Sequence, residues 1–209
     1  MKVLQITFML ALSLIIFLLP ISLYIGFLSL RKPIYQTLVV QSGLFSTEQN
    51  VKEAVDSLVH GLLTTKKIAF PSAGIVLTDS EQIHMRDVSC LLKFNWILGL
   101  LLMTGFIFSL IFLQKTKSWP LLRQSSIIAS ILFLIILGLG LFSFEGLFTL
   151  FHQLLFRNDL WLLPQESILL RLFPADFFFR QFITIVMSSF VWFAALYIVS
   201  IQQIKGRKK

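Results

Sequence analysis

Four uninterrupted apolar runs leave this chain few folds to choose from. They cover residues 3–30, 94–113, 126–147 and 182–204, and across all four the only Lys, Arg, Asp or Glu is Glu145, near the end of the third. A helix of about 20 apolar residues crosses the hydrocarbon core of a bilayer, so each run is long enough. The composition agrees: 56% of the residues are hydrophobic and 13% charged, a balance that soluble domains rarely tolerate. The expected fold class is a mainly α-helical membrane protein with four transmembrane helices, a small extracellular α+β cap and interfacial helices. The first run starts Met-Lys and then turns apolar, as a signal peptide does. It is too long for such a segment and no Ala-x-Ala-like site follows, so we read it as a retained helix with a kink at Pro20.

Orientation follows from the basic residues. With the N-terminus inside, the inner segments carry Lys2, Lys115, Lys117, Arg123, Lys205, Arg207, Lys208 and Lys209 and no acid. The remaining ten basic residues balance the ten acidic ones, so the net charge of +8 falls on the inner side. Cytoplasmic loops collect Lys and Arg in this way, and anionic membrane lipids attract them. The resulting plan has spans at 1–30, 94–113, 126–148 and 182–204. An extracellular cap occupies 31–93 and an extracellular or interfacial segment 149–181. A cytoplasmic loop at 114–125 and a tail at 205–209 complete it. Basic charge split among short flanks does not suit a nucleic-acid partner. A single cysteine, Cys90, excludes an internal disulfide and a multi-cysteine metal site.

In the cap, "YQTLVVQSG" reads as a short strand ending at Gly43. "STEQNVKEAVDSLVHGLL" reads as an amphipathic helix with Val51, Val55, Leu58, Val59 and Leu62 on one face, Ser46 capping it and Gln49 reaching back. "FPSAGIVLT" is a further strand after a Pro turn. Asp79-x-x-Gln82 then reads as a capping box, and no breaker separates it from the second span, so one helix is expected to run from Asp79 into the membrane. His84 on that helix would stand about ten residues, or roughly 15 Å, above the apolar core at 1.5 Å per residue. Asp87 shares its face. The second external piece, "FHQLLFRNDLWLLPQESILLRLFPADFFFRQF", has too many breakers for another span: Asn158-Asp159, Pro164 and Pro174. It reads as short interfacial helices with aromatic anchors, and it puts His152 a few residues past the third span.

Two histidines at matched depth on one side of a membrane suggest a general acid and base, because imidazole titrates near neutral pH. Asp87 or Asp159 is placed to orient a ring. The bland alternative is that His84 and His152 are interfacial anchors. A zinc site built from both histidines with Asp87 or Asp159 is disfavoured, since H-E-x-x-H and i, i+4 histidines are missing. Cys90 reads as a small buried hydrophobe rather than a nucleophile, and His60 as a solvated surface residue. Nucleophile-elbow, phosphate-loop and dinucleotide fingerprints do not occur. The aromatic residues Phe151, Phe156, Trp161, Phe173 and Phe177 to Phe179 crowd around the polar groups. They either line a water-poor pocket for acyl chains or form the interfacial belt.

"HMRDV" before the second span, together with "FHQLLFRNDLWLLP" and "LFPADFF" after the third, resembles a bacterial integral membrane family, the one that includes the lipoprotein intramolecular transacylase. The resemblance covers nearly the whole chain, and the F-H-x-x-x-F-x-N-D-x-W spacing is its most specific part. It implies an acyltransferase without metal or cofactor, acting in the bacterial cell membrane on diacylglyceryl lipoproteins. The sn-2 acyl chain of the N-terminal diacylglyceryl cysteine would move to the α-amino group of that cysteine, leaving a lyso-form lipoprotein. His84 and His152 fall at the positions of the family's two catalytic histidines. His152 is expected as the base and His84 as the acid or carbonyl polariser, with the reverse order nearly as good. Arg157 and Asn158 are expected as oxyanion donors, Asp87 and Asp159 as orienters, Trp161 as support, and the monomer as the working form. The alternatives are a lipid or lipoprotein ester hydrolase and a non-enzymatic accessory protein with pH-responsive histidines. A channel is disfavoured, because charges inside the spans are almost lacking.

Overall fold

The computed structural model describes residues 2–27, 45, 47–64, 66–70 and 74–206. In chain order the elements are α1 (Lys2–Phe27), α2 (Glu48–Thr64), β1 (Ala69–Phe70), β2 (Ile75–Val76), α3 (Asp79–Thr116), α4 (Trp119–Phe142), α5 (Phe144–Leu155), α6 (Ile168–Leu172) and α7 (Ala175–Lys205). Four helices, α1, α3, α4 and α7, are long and apolar enough to cross a membrane. The expected strand over "YQTLVVQSG" and the Ser46 cap lie outside the described residues.

The chain divides into two compact units. One contains the apolar lengths of the four long helices: residues up to 24, 97–144 and 182 onward. Its core joins Leu12, Ile16 and Leu19 to Leu102, Phe106, Leu122, Ala129, Val186 and Phe193. Phe133 is fully buried there, with its ring centroid 4.8 Å from Phe17 and 5.1 Å from Phe193. Small residues let the helices approach: a Cβ added to Gly99 would stand 2.7 Å from Ser22 Oγ. Buried Ser125 donates its hydroxyl to the Met9 carbonyl across 3.0 Å, and most of the other serines in these helices satisfy theirs within one turn, as Ser126 does on Leu122. Pro20 sits inside α1 without ending it.

The second unit holds residues 25–96 and 145–181. The apolar face of α2 is buried as its spacing predicts, through Val51, Val55, Leu58 and Leu62, with Val59 partly covered. That face packs on Ile68, Phe70, Leu77, Met85, Leu169 and Leu172. Gly61 lies against Ile68, leaving no space for a side chain. The α2 cap differs in detail: the Thr47 hydroxyl accepts from the Asn50 N–H, and Gln49 donates forward to Glu53 instead of reaching back. "FPSAGIVLT" is not one strand. It contributes to a hairpin in which Ala69 pairs with Val76 and Phe70 with Ile75, and Gly74 supplies the left-handed φ of +64° that its turn requires.

Helix α3 is continuous over 38 residues, as the lack of a breaker predicts. Its capping box, however, starts one residue before the expected one. The Thr78 hydroxyl accepts from the Glu81 N–H, and Glu81 Oε2 accepts from the Thr78 N–H at 2.8 Å. Gln82 is thereby released for a two-point bond with the Ile68 backbone. Helices α3 and α4 run beyond the apolar runs and meet at Lys117–Ser118, where Lys117 has φ 58°. Helix α4 stops at Phe142, so Glu145 belongs to the first turn of α5 rather than to a long helix. Likewise α7 begins just after Pro174, which takes Phe177 to Phe179 into its first turns rather than into a separate interfacial helix.

Candidate active site

The site lies in the second unit. His84 is in the first turns of α3, within the polar stretch that precedes the apolar run from Phe94, and His152 is near the end of α5. Their ring centroids are 6.2 Å apart. That separation is too large for a direct N–H···N bond and small enough for one substrate group to reach both.

His152 is buried. Its Nδ1 lies 2.8 Å from the Phe148 carbonyl oxygen, one helical turn back. A carbonyl only accepts, so Nδ1 carries the proton and the lone pair of the neutral ring resides on Nε2. Rings enclose the imidazole: Phe148 at 4.2 Å, Trp161 at 5.0 Å, Phe151 at 5.3 Å and Phe156, stacked, at 5.4 Å. Burial pushes the His152 pKa below its ordinary value, against the opposing effect of the Phe148 carbonyl. His84 also contacts Phe156, at 5.4 Å. Its pKa too is lowered, first by burial and then by the neighbouring His152, while Asp87 works the other way. Both rings are therefore neutral at neutral pH. His84 Nδ1 is buried and makes no hydrogen bond among the described residues. Such an atom costs free energy until a partner meets it.

Asp87 bonds to neither histidine. Its Oδ2 accepts from Asn158 Nδ2 at 2.9 Å, and Asn158 Oδ1 accepts from the Leu160 N–H at 3.0 Å. Asn158 thus spends its amide on Asp87. Arg157 and Asp159 are exposed, and among the described residues no hydrogen bond or ion pair joins them to either histidine. Trp161 is half-buried against His152. His60 and Cys90 are exposed; for Cys90 this corrects the expectation of a buried hydrophobe, because its helical position turns it outward. No group of three or more His, Cys, Asp or Glu among the described residues is arranged to hold a metal.

Two participants escape the sequence reading. Glu81 is buried, and its Oε1 accepts from the Ser167 hydroxyl and, at 3.2 Å, from the Leu169 N–H. Burial raises its pKa, but the bonds from Ser167, Thr78 and Leu169 outweigh it and the carboxyl titrates below the usual range. Thr78-x-x-Glu81, one residue before Asp79-x-x-Gln82, is the sequence signal for it. Phe148, which sets the His152 tautomer, follows from the i, i−4 geometry once residues 144–155 are known to be helical.

These features define the class: a four-span helical membrane protein with an aromatic-walled pair of neutral histidines. A model of the lipoprotein intramolecular transacylase family, Lit, matches residues 6–178, and the chain belongs to that family. The fold matches a structure of the membrane-integral lipoprotein intramolecular transacylase Lit from Bacillus cereus with TM-score 0.81 and 22% identity, covering 100% of this chain and 99% of that one. It also matches a histidine-to-arginine variant of that protein, with TM-score 0.76 and 19% identity over 99% of this chain and 93% of the other. An uncharacterized protein of Aquifex aeolicus is 27% identical over 136 residues, which is 63% of this chain and 60% of that relative. The chain thus matches less than two thirds of that relative's length.

Proposed function

We propose that this protein is a cell-membrane acyltransferase that moves the sn-2 acyl chain of a diacylglyceryl-cysteine lipoprotein to the α-amino group of the same cysteine. The observation that carries the reading is the pair of neutral imidazoles at 6.2 Å, one with its tautomer set by the Phe148 carbonyl. The family membership supports the substrate class.

Ester aminolysis starts from an uncharged amine, and an α-amino group titrates near 7.7 to 8.0. The amine nitrogen attacks the sn-2 carbonyl carbon while His152 Nε2 takes one N–H proton. The resulting oxyanion is met by His84, with Arg157 as a further donor; Asn158, engaged by Asp87, is less suited to that part. Collapse breaks the bond to the glyceryl oxygen, which receives a proton from a histidine. One proton leaves nitrogen and one reaches oxygen, so the mass of the lipoprotein is unchanged. Donor and acceptor share one molecule, and holding them in register is worth about 7 to 11 kcal/mol of barrier. The rings around His152 keep water from the ester, which favours transfer over hydrolysis. The basic residues at the α3–α4 turn and the chain ends support cytoplasmic termini and an extracellular site. The acyl chains of a single substrate can remain among membrane lipids, and a monomer suffices.

The test is expression in a bacterium that makes free-amine diacylglyceryl lipoproteins, followed by mass spectrometry of their N-terminal lipopeptides. One acyl chain should appear on nitrogen at unchanged total mass, and His84→Ala or His152→Ala should abolish it. Release of free fatty acid would make the protein a hydrolase, and unaltered lipopeptides beside folded protein would end the enzymatic reading.

A further inference from the structure

Glu81, His84 and Asp87 follow one another at three-residue spacing on α3, so the two carboxylates flank His84 on one side of the helix, a turn below and a turn above. Each is tied to the chain between Phe156 and Leu169. Glu81 accepts from the Ser167 hydroxyl and the Leu169 N–H in a buried setting. Asp87 accepts from Asn158 through one bond of 2.9 Å near the surface. Between these ties the chain turns tightly. The Leu160 N–H donates to Asn158 Oδ1, the Leu162 N–H to the Asp159 carbonyl and the Leu163 N–H to the Trp161 carbonyl. The turn delivers the indole of Trp161 to His152 at 5.0 Å.

We propose that Asp87 and Asn158 form a clasp of positioning residues that holds the Trp161 turn across α3 and over His152. The inference rests on the histidine pair being the reacting groups. Its physical basis is the difference between the two ties. Glu81 fixes the far end of the segment with two bonds shielded from water, close to the start of α6. Trp161 lies six residues before Ser167 and only three after Asn158. Its position is therefore set chiefly by the nearer tie. Without the bond to Asp87, Asn158 keeps its local bond to Leu160, so the turn survives, but nothing polar joins it to the helix that carries His84. The indole is then free to leave the His152 ring, and water reaches the imidazole from the side that Trp161 covers. Asp87 and Asn158 act on the reaction through Trp161 and touch no reacting atom.

The experiment uses the full chain in lipid nanodiscs with Asp87→Ala, Asn158→Ala and the double exchange Asp87→Asn with Asn158→Asp. The exchange keeps one amide and one carboxylate in the pair with their positions reversed, and an aspartate at 158 still accepts from the Leu160 N–H. One readout is the rate of N-acylation of a synthetic diacylglyceryl lipopeptide. The other needs no activity: the rate at which diethyl pyrocarbonate modifies His152, followed by peptide mass spectrometry. Each single variant should lose roughly ten- to hundredfold in kcat with KM little changed, the scale of a small misplacement of reacting groups. His152 should be modified several-fold faster in both. The exchange should restore protection and rate together, which a general loss of packing would not do. Wild-type protection of His152 in either single variant overturns the clasp, and so does an exchange variant as exposed as the singles. If protection follows the clasp but the wild-type protein itself transfers no acyl chain, it is the transacylase reading that fails.

Discussion

His152 and His84 owe their chemistry to their surroundings more than to their residue type. Burial holds both below their ordinary pKa of 6.5, and His152 lowers that of His84 further. A neutral pair at rest suits a reaction that begins by taking a proton from an amine. The sign of the linkage follows directly. With a folded-state pKa below 6.5, each histidine leaves stability intact above that pH, and stability falls as the pH drops through the folded-state values. The melting temperature should therefore fall as the pH drops below 6.5, whereas the acid limb of acyl transfer is set first by the substrate's α-amino group, which must be uncharged and titrates near 7.7 to 8.0. His152→Gln should abolish acyl transfer and remove part of the acid-induced fall in melting temperature, followed by thermal denaturation across pH. A fall in melting temperature centred above pH 6.5 would contradict the burial seen around the rings. Both histidines were legible in the sequence, because their distance from the apolar runs set their depth. Phe151, Phe156 and Trp161 were legible as chain neighbours of His152, whereas the approach of Phe156 to His84 was not, since it comes from folding a segment some 70 residues away back onto α3.

At the scale of the element, α3 does two tasks with one capping box. Thr78 and Glu81 end the helix, and the second oxygen of Glu81 extends the cap to the start of α6. Replacing Glu81 with Gln puts an amide where two donors now converge, leaving at least one of them without an acceptor. The expected loss is about 1–3 kcal/mol, read as a lower denaturation midpoint in detergent. The folded-state pKa of Glu81 lies below 4.5, so its contribution is present above that pH and is lost as the pH falls through the folded value. The stability difference between wild type and Glu81→Gln should accordingly shrink under acid conditions. Ser167→Ala should cost less, about 1 kcal/mol, because Leu169 keeps its bond to Glu81. The continuous α3 and the buried face of α2 were legible, since periodicity and a lack of breakers are local properties. The sequence leaves the capping box ambiguous by one residue, because Thr78 and Asp79 both offer capping oxygens with an acceptor three residues on. Only the approach of Ser167 and Leu169 decides between them.

At the scale of the whole molecule, the apolar unit shows which of many similar side chains matter. Phe133 is buried among Phe17, Phe190 and Phe193, whereas Phe142, nine residues on, is 92% exposed. Phe133→Ala should cost about 3–5 kcal/mol. Phe142→Ala should change the melting temperature little, since it only trades one apolar surface for another in lipid. Equal losses at both positions would mean that the helices pack differently. Composition and run length alone determined the membrane class and the four spans, because lipid imposes its length and polarity on every residue that enters it. The tertiary structure decided the rest: that His84 and His152 meet, that Phe148 selects the tautomer, and that Glu81 rather than Gln82 caps α3. Those outcomes depend on contacts between segments some 70 to 90 residues apart, or on a helix boundary, and neither leaves a periodic trace in the chain.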